Sequence, residues 1–123
     1  MSQTYSLIDD AHAQKERFDW GELHWYASGA LSAASGLTVG RCILNAKSAN
    51  PIHYHPNCEE VLHVLSGEIE HYIDGEGWFS MNAGDSITIP VNLKHGARNV
   101  GDGDAHLLIA FSSPERQTIG EFE

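Results

Sequence analysis

The sequence predicts an all-β domain, an antiparallel barrel or sandwich of the jelly-roll type. Three observations carry this. About nine short runs rich in Val, Ile, Leu and aromatic residues alternate with Gly, Asn, Asp and Pro punctuation. No amphipathic stretch of about 10–15 residues separates them, so a parallel sheet with crossover helices is disfavoured. With 123 residues, the chain is expected to form a single domain that buries a core without covalent staples.

The elements follow in order. Residues 1–19 are polar and mixed, with weak helical potential over Asp10–Phe18, and read as an N-terminal arm; residues 20–123 read as the barrel domain. Strands are expected at Glu22–Ala27, Thr38–Leu44, Ile52–His55, Glu60–Leu65, Glu68–Ile73, Trp78–Ser80, Ser86–Ile89, Lys94–Asn99 and Ala105–Phe111. Asp74-Gly75 and Asp102-Gly103 suit tight hairpins, because both dipeptides tolerate positive φ. Side chains alternate between the faces of a strand, so His53 and His55 point the same way. By the same parity Glu60, Leu62 and Val64 share one face, and Val61, His63 and Leu65 the other. Both faces are largely apolar, so each is expected to be covered, one by the barrel interior and one by a second sheet or subunit.

Charge narrows the partners. Seventeen acidic residues against seven basic ones give a formal charge of −10. Neither a nucleic-acid backbone nor an anionic membrane fits that balance, since both call for basic patches. Cys42 and Cys58 form no disulfide framework. The N-terminus lacks a basic start followed by an apolar run, and no stretch reaches the roughly 18–20 apolar residues of a membrane span. The expectation is a cytoplasmic protein.

The chemistry concentrates in two runs. Pro51–Gly67 carries His53, His55 and Glu60, and Gly84–Asn99 carries His95. Three imidazoles and one carboxylate suit Fe(II), Mn(II), Zn(II) or Ni(II), and leave positions open for substrate or water. Pro51 and Pro56 stiffen the approach to the histidine pair.

These residues resemble the cupin superfamily, in particular its small single-domain members. The family's first motif, G-x5-H-x-H-x3,4-E-x6-G, finds His53, His55, Glu60 and Gly67 in register; its second, G-x5-P-x-G-x2-H-x3-N, finds Gly84, Pro90, His95 and Asn99. The resemblance covers about residues 37–112, with motif 1 at about 53–67 and motif 2 at about 84–99. Two positions depart from the pattern: Lys47 and Asn92 stand where the family has glycine. Glu59 competes with Glu60, and the spacing to Gly67 selects Glu60. The resemblance implies a double-stranded β-helix that holds one divalent transition metal per chain through His53, His55, Glu60 and His95. It also implies a small-molecule ligand or substrate and a homodimer formed through the N-terminal strands.

Three functions are compatible with this. The favoured one is an isomerase or lyase acting on a sugar, sugar acid or small carboxylate, with the metal as Lewis acid. The second is an Fe(II)-dependent dioxygenase. The third is a non-catalytic binding or sensing module, since one fold hosts many activities. No aromatic stack suited to a large flavonoid-like substrate is evident at the pocket rim.

Glu60, His71 and His106 are candidates to move a proton, and Arg41 and Tyr54 are candidates to bind substrate. Trp25, Tyr26, Tyr72 and Trp78 read mainly as core or interface residues. Cys58 reads as a residue packed beside the site, and His63 and Arg98 as facing away from it. There is no G-x-S-x-G, phosphate-cradling glycine loop or Cys-x-x-Cys, so nucleophilic hydrolysis and nucleotide chemistry have no support.

Overall fold

Alternation of apolar side chains is realised most cleanly in two neighbouring strands. The computed structural model describes residues 5–120, so the outer ends of the predicted arm and barrel spans lie outside the described residues. Eleven strands are present among them: β1 (Gln14–Phe18), β2 (Gly21–Ala27), β3 (Thr38–Leu44), β4 (His53–Tyr54), β5 (Glu60–Ser66), β6 (Glu68–Ile73), β7 (Gly77–Asn82), β8 (Ser86–Ile89), β9 (His95–Asn99), β10 (Ala105–Phe111) and β11 (Ile119–Gly120). In β3, Thr38, Gly40, Cys42 and Leu44 face inward; in β10, Ala105, Leu107, Ile109 and Phe111 do. Their register sets Leu107 opposite Cys42 and Ile109 opposite Gly40, so the inward rows meet on one face.

All pairings are antiparallel, in two sheets. The larger has the order β1-β2-β3-β10-β5-β8 and the smaller β11-β4-β9-β6-β7. Leu44, Val64 and Leu107 of the first sheet and Ile69, Met81 and Ala97 of the second are buried between them. Each fully buried Leu or Ile contributes about 1.5–3 kcal/mol. Gly67 joins β5 to β6 at φ +93°, and a Cβ there would lie 2.9 Å from Ala105 Cα, so the position admits only glycine. No helix among the described residues is long and apolar enough to cross a membrane.

Two local expectations are corrected. The helical potential over Asp10–Phe18 yields only a 3₁₀ turn at Asp10–His12, capped by the Asp9 carboxylate, before β1 pairs with β2 from Gln14↔Trp25 to Phe18↔Gly21. β1 is exposed along its whole length, so ladder hydrogen bonds, rather than an apolar stripe, hold it. Asp74-Gly75 does turn the β6–β7 hairpin, with Gly75 at φ +91°. Asp102-Gly103 does not make a hairpin: it lies where the chain crosses from β9 in the smaller sheet to β10 in the larger, and neither residue has positive φ. Asn99 organises that crossing, donating from Nδ2 to Leu44 O and Gly103 O and accepting from Gly101 N–H at Oδ1.

Candidate metal centre

The two sheets converge on the four residues singled out in the sequence. His53 opens β4 and pairs directly with His95, the first residue of β9. His55 follows β4 on the same side, and Glu60 opens β5 in the facing sheet. The smaller sheet thus supplies three imidazoles and the larger one carboxylate. One ligand atom from each of the four lies within 4.8 Å of all the others. His55, Glu60 and His95 are buried and His53 is half-buried.

Neighbouring groups set which ring nitrogen faces the centre. His53 Nδ1–H donates to Pro51 O at 2.6 Å, and His55 Nδ1–H donates to Gln117 O at 2.9 Å. His95 Nδ1 lies 3.0 Å from Nε2 of His71. Each Nδ1 is therefore occupied, which leaves Nε2 as the inward lone pair, the tautomer a metal ligand needs.

The residues fit a divalent ion. Nε2 of His55 and Nε2 of His95 each lie 3.2 Å from Glu60 Oε1. Neither approach has hydrogen-bond geometry, and all three atoms are buried without a partner. Orphaned buried polar atoms are rare and costly. Ligands at about 2.1 Å from an ion, at right angles, stand about 3 Å apart, which matches this spacing. His53, His55, Glu60 and His95 form a possible site for one divalent metal.

Electrostatics point the same way. Burial opposes the charge on Glu60, but the His55 and His95 imidazoles outweigh it and hold the carboxyl well below the usual carboxylate range. Burial, then the neighbouring His95, pushes His53 down to about 4. At neutral pH the site thus presents a carboxylate and a neutral His53.

The centre sits in a cavity of about 360 Å³. Its walls include Phe18, Trp20, Leu23, Trp25, Ile109 and Phe111, and its polar lining adds Glu16, Asn50, His71, Arg116 and Thr118. Phe18 and Trp20, both in the cavity wall, stack on each other with centroids 4.8 Å apart. Both rings come from the segment around the β1–β2 turn.

Of the remaining candidates, His71 lines the cavity. His106 and Arg41 do not: they occupy outward positions of β10 and β3, where Arg41 Nη1 lies 3.5 Å from His106 Nδ1. Tyr54 is likewise absent from the cavity wall, since it alternates with His53 on β4. His63 accompanies Ser86 at 2.6 Å on the outer side, and Arg98 pairs with Glu70 beneath Trp78. Cys42 and Cys58 are both free and buried; burial, then Glu60, pushes the Cys42 thiol up to about 12.

Sequence reasoning did not find Arg116, Thr118 or the Gln117 carbonyl. They lie just before β11 and reach the site across about sixty residues of chain, with no periodicity to mark them.

Known proteins agree with this architecture. The chain is similar to the polyketide synthase CurC of Streptomyces cyaneus, at 29% identity over 106 residues, 86% of this chain and 68% of that protein. It is similar to germin-like protein 3-8 of Oryza sativa subsp. japonica, at 30% identity over 82 residues, 63% of this chain and 36% of that one. Among solved structures it resembles the oxalate decarboxylase of Lactobacillus farciminis in its formate complex, with a TM-score of 0.80 at 20% identity, covering 88% of this chain and 33% of that chain. It also resembles the oxalate decarboxylase of Bacillus subtilis, a protein with Mn(II) centres, with a TM-score of 0.79 at 18% identity, covering 87% of this chain and 29% of that chain. This chain spans about a third of the germin-like and decarboxylase chains. The Cupin domain family matches residues 40–111, the span that holds all four candidate ligands, and the chain belongs to that family.

Proposed function

We propose that this cupin is a divalent-metal-dependent enzyme of isomerase or lyase type, acting on a small carboxylate or related oxygen-bearing substrate with an apolar body. One observation carries the reading: His55 Nε2, His95 Nε2 and Glu60 Oε1, buried without partners, face one point beside an aromatic-walled cavity. When bound, the metal supplies a Lewis acid that polarises a substrate oxygen. His53, His55, Glu60 and His95 hold it, and Pro51 O, Gln117 O and His71 orient the rings. The apolar walls exclude water, which strengthens every charge interaction inside.

Proton movement falls to Glu60 or His71, the two candidates that line the cavity. The mostly apolar walls give a free sugar few partners for its hydroxyls beyond Glu16, Asn50, Arg116 and Thr118. A substrate with a ring-sized apolar body suits them better. The name of the CurC relative adds polyketide-like β-carbonyl compounds, whose enolisable oxygens suit a Lewis acid, to the substrates to be tried. A cytoplasmic location and a homodimer belong to the same proposal. Val61, Leu65 and Leu108, exposed on the outer face of the larger sheet, support pairing with a second copy.

The test is elemental analysis of protein purified without added metal, followed by assays on β-keto acids and aromatic carboxylates. The expected result is near-stoichiometric metal and turnover that chelation abolishes and metal restores. Turnover coupled to oxygen uptake with iron bound would instead assign an Fe(II)-dependent dioxygenase. Metal-retaining protein that binds these compounds without turnover would assign a binding module. A site that refuses every divalent ion would overturn the reading.

A further inference from the structure

We infer that Arg116 anchors an acidic group of the ligand, so that the cavity selects anions with an apolar, ring-sized body. This deepens the substrate class proposed above and rests on reading the cavity as the substrate site. Arg116 is the only Lys or Arg among the described residues that line the cavity. No carboxylate among the described residues lies within ion-pair distance of it. Of the two carboxylates on the wall, Glu16 accepts from Trp25 Nε1–H at 3.0 Å and Glu60 belongs to the metal centre.

The guanidinium is held in place rather than free to swing. Its Cζ lies 4.2 Å from the Trp25 ring centroid and 5.3 Å from that of Phe111. Nη1 donates to Thr118 Oγ1, and that hydroxyl lies 3.2 Å from Nδ1 of His55. Thr118 thus ties the cation to a ring of the metal centre. A guanidinium seated over aromatic faces keeps its in-plane N–H donors available for the two oxygens of a carboxylate. Burial lowers the pKa of Arg116 from its ordinary value, the charges of Glu16 and Glu60 offset part of that, and an anionic ligand would offset more. The metal would hold one oxygen-bearing end of such a molecule and Arg116 another, with Trp25 and Phe111 against the body between.

The test compares metal-loaded wild type with Arg116→Gln and Arg116→Lys. Calorimetry follows 4-acetylbenzoate and 6-acetyl-2-naphthoate, whose ketone oxygen is the end offered to the metal, against their neutral amides, 4-acetylbenzamide and 6-acetyl-2-naphthamide. Wild type is expected to bind each carboxylate at least about tenfold more tightly than its amide, the scale of a charge-assisted hydrogen bond. Arg116→Gln should lose that preference with amide affinity and metal content unchanged, and Arg116→Lys should keep part of it. A clamp that merely pins the chain would weaken carboxylate and amide together. No preference in wild type, or a preference that survives in Arg116→Gln, overturns the inference. The two readings fail separately. Metal-poor or inert protein whose charge preference still depends on Arg116 keeps the anchor and loses the enzyme. Metal-dependent turnover with a preference indifferent to Arg116 does the reverse.

Discussion

Nε2 of His71 lies 3.0 Å from Nδ1 of His95, with the two rings stacked at 5.2 Å between centroids and 10° between planes. For His95 to offer its Nε2 lone pair to a metal, its Nδ1 must carry the proton and donate it, and His71 is the acceptor. Burial, then the nearby His95, pushes His71 down to about 4, so it is neutral and able to accept at pH 7. A leucine at this completely buried position offers no acceptor in its place. Replacing His71 with Leu is expected to weaken metal binding about 10–100-fold while the fold persists. His71→Gln, which keeps an acceptor, should recover part of the loss. Competition against a chromogenic chelator measures both, and unchanged affinity in His71→Leu would show that His95 needs no such orientation.

The ligand set makes a sharper contrast. His53→Ala or His95→Ala should reduce metal content to a small fraction, with β-sheet circular dichroism retained, since the core residues Leu44, Ile69 and Leu107 are untouched. His63→Ala should leave metal content at the wild-type level, because that ring contacts Ser86 on the outer side of β5. Elemental analysis of the three purified variants decides the matter. Loss of metal in His63→Ala comparable to that in His95→Ala would contradict the assigned faces.

Parity explains what could be read in advance. His53 and His55 are two residues apart on extended chain, and Glu60 shares the inward row of β5 with Leu62 and Val64, so period-two reasoning places them. The same reasoning could not orient His106, because β10 is apolar on both faces: Leu107 and Ile109 on one, Leu108 and Ala110 on the other. Arg41 faces outward for a reason visible only in the register, where it pairs with His24 and Leu108. β1 was illegible because Gln14–Phe18 has no alternating pattern and owes its shape to pairing with β2. Arg116 and Thr118 sit in irregular chain, where position is set by distant contacts that leave no local signal.

Lys47 and Asn92, which replace two glycines of the family pattern, both adopt the left-handed conformation, at φ 62° and 72°. The backbone therefore keeps the geometry although the side chain has changed. Asn tolerates that region, while Lys does so at a cost of about 1 kcal/mol. Lys47 Nζ donates to Val100 O and approaches Asp102, but these are exposed contacts of small worth. Lys47→Gly is expected to stabilise the protein by up to about 0.5 kcal/mol, the relief of strain net of the added freedom of the unfolded chain. Lys47→Val should destabilise it by at least about 1 kcal/mol, since a β-branched residue fits that region worst. Urea unfolding gives both values; equal effects of Gly and Val would remove backbone strain as the explanation.

Protonation should make the metal-free chain lose stability in two stages as pH falls. His53 and His71 titrate near 4 in the folded chain, chiefly because burial disfavours their charged forms, against an ordinary value of 6.5. Between those values the unfolded chain binds protons that the folded one refuses, so acid favours unfolding. Their contribution is complete above about pH 6.5 and is lost as pH drops to about 4. Glu60 behaves likewise lower down: its depressed folded pKa adds stability above its ordinary value of 4.5, which is withdrawn as pH falls below that. In chelator, the urea midpoint should decline from pH 6.5 to about 4, where two imidazoles take up protons on unfolding, and then less steeply, where Glu60 alone does. His71→Leu removes one of the two buried imidazoles and should flatten the upper stage while leaving the lower one. A midpoint constant from pH 6.5 to 4.5 in the metal-free wild type would mean that these rings accept protons without cost, and the buried, neutral state assigned to them would be wrong.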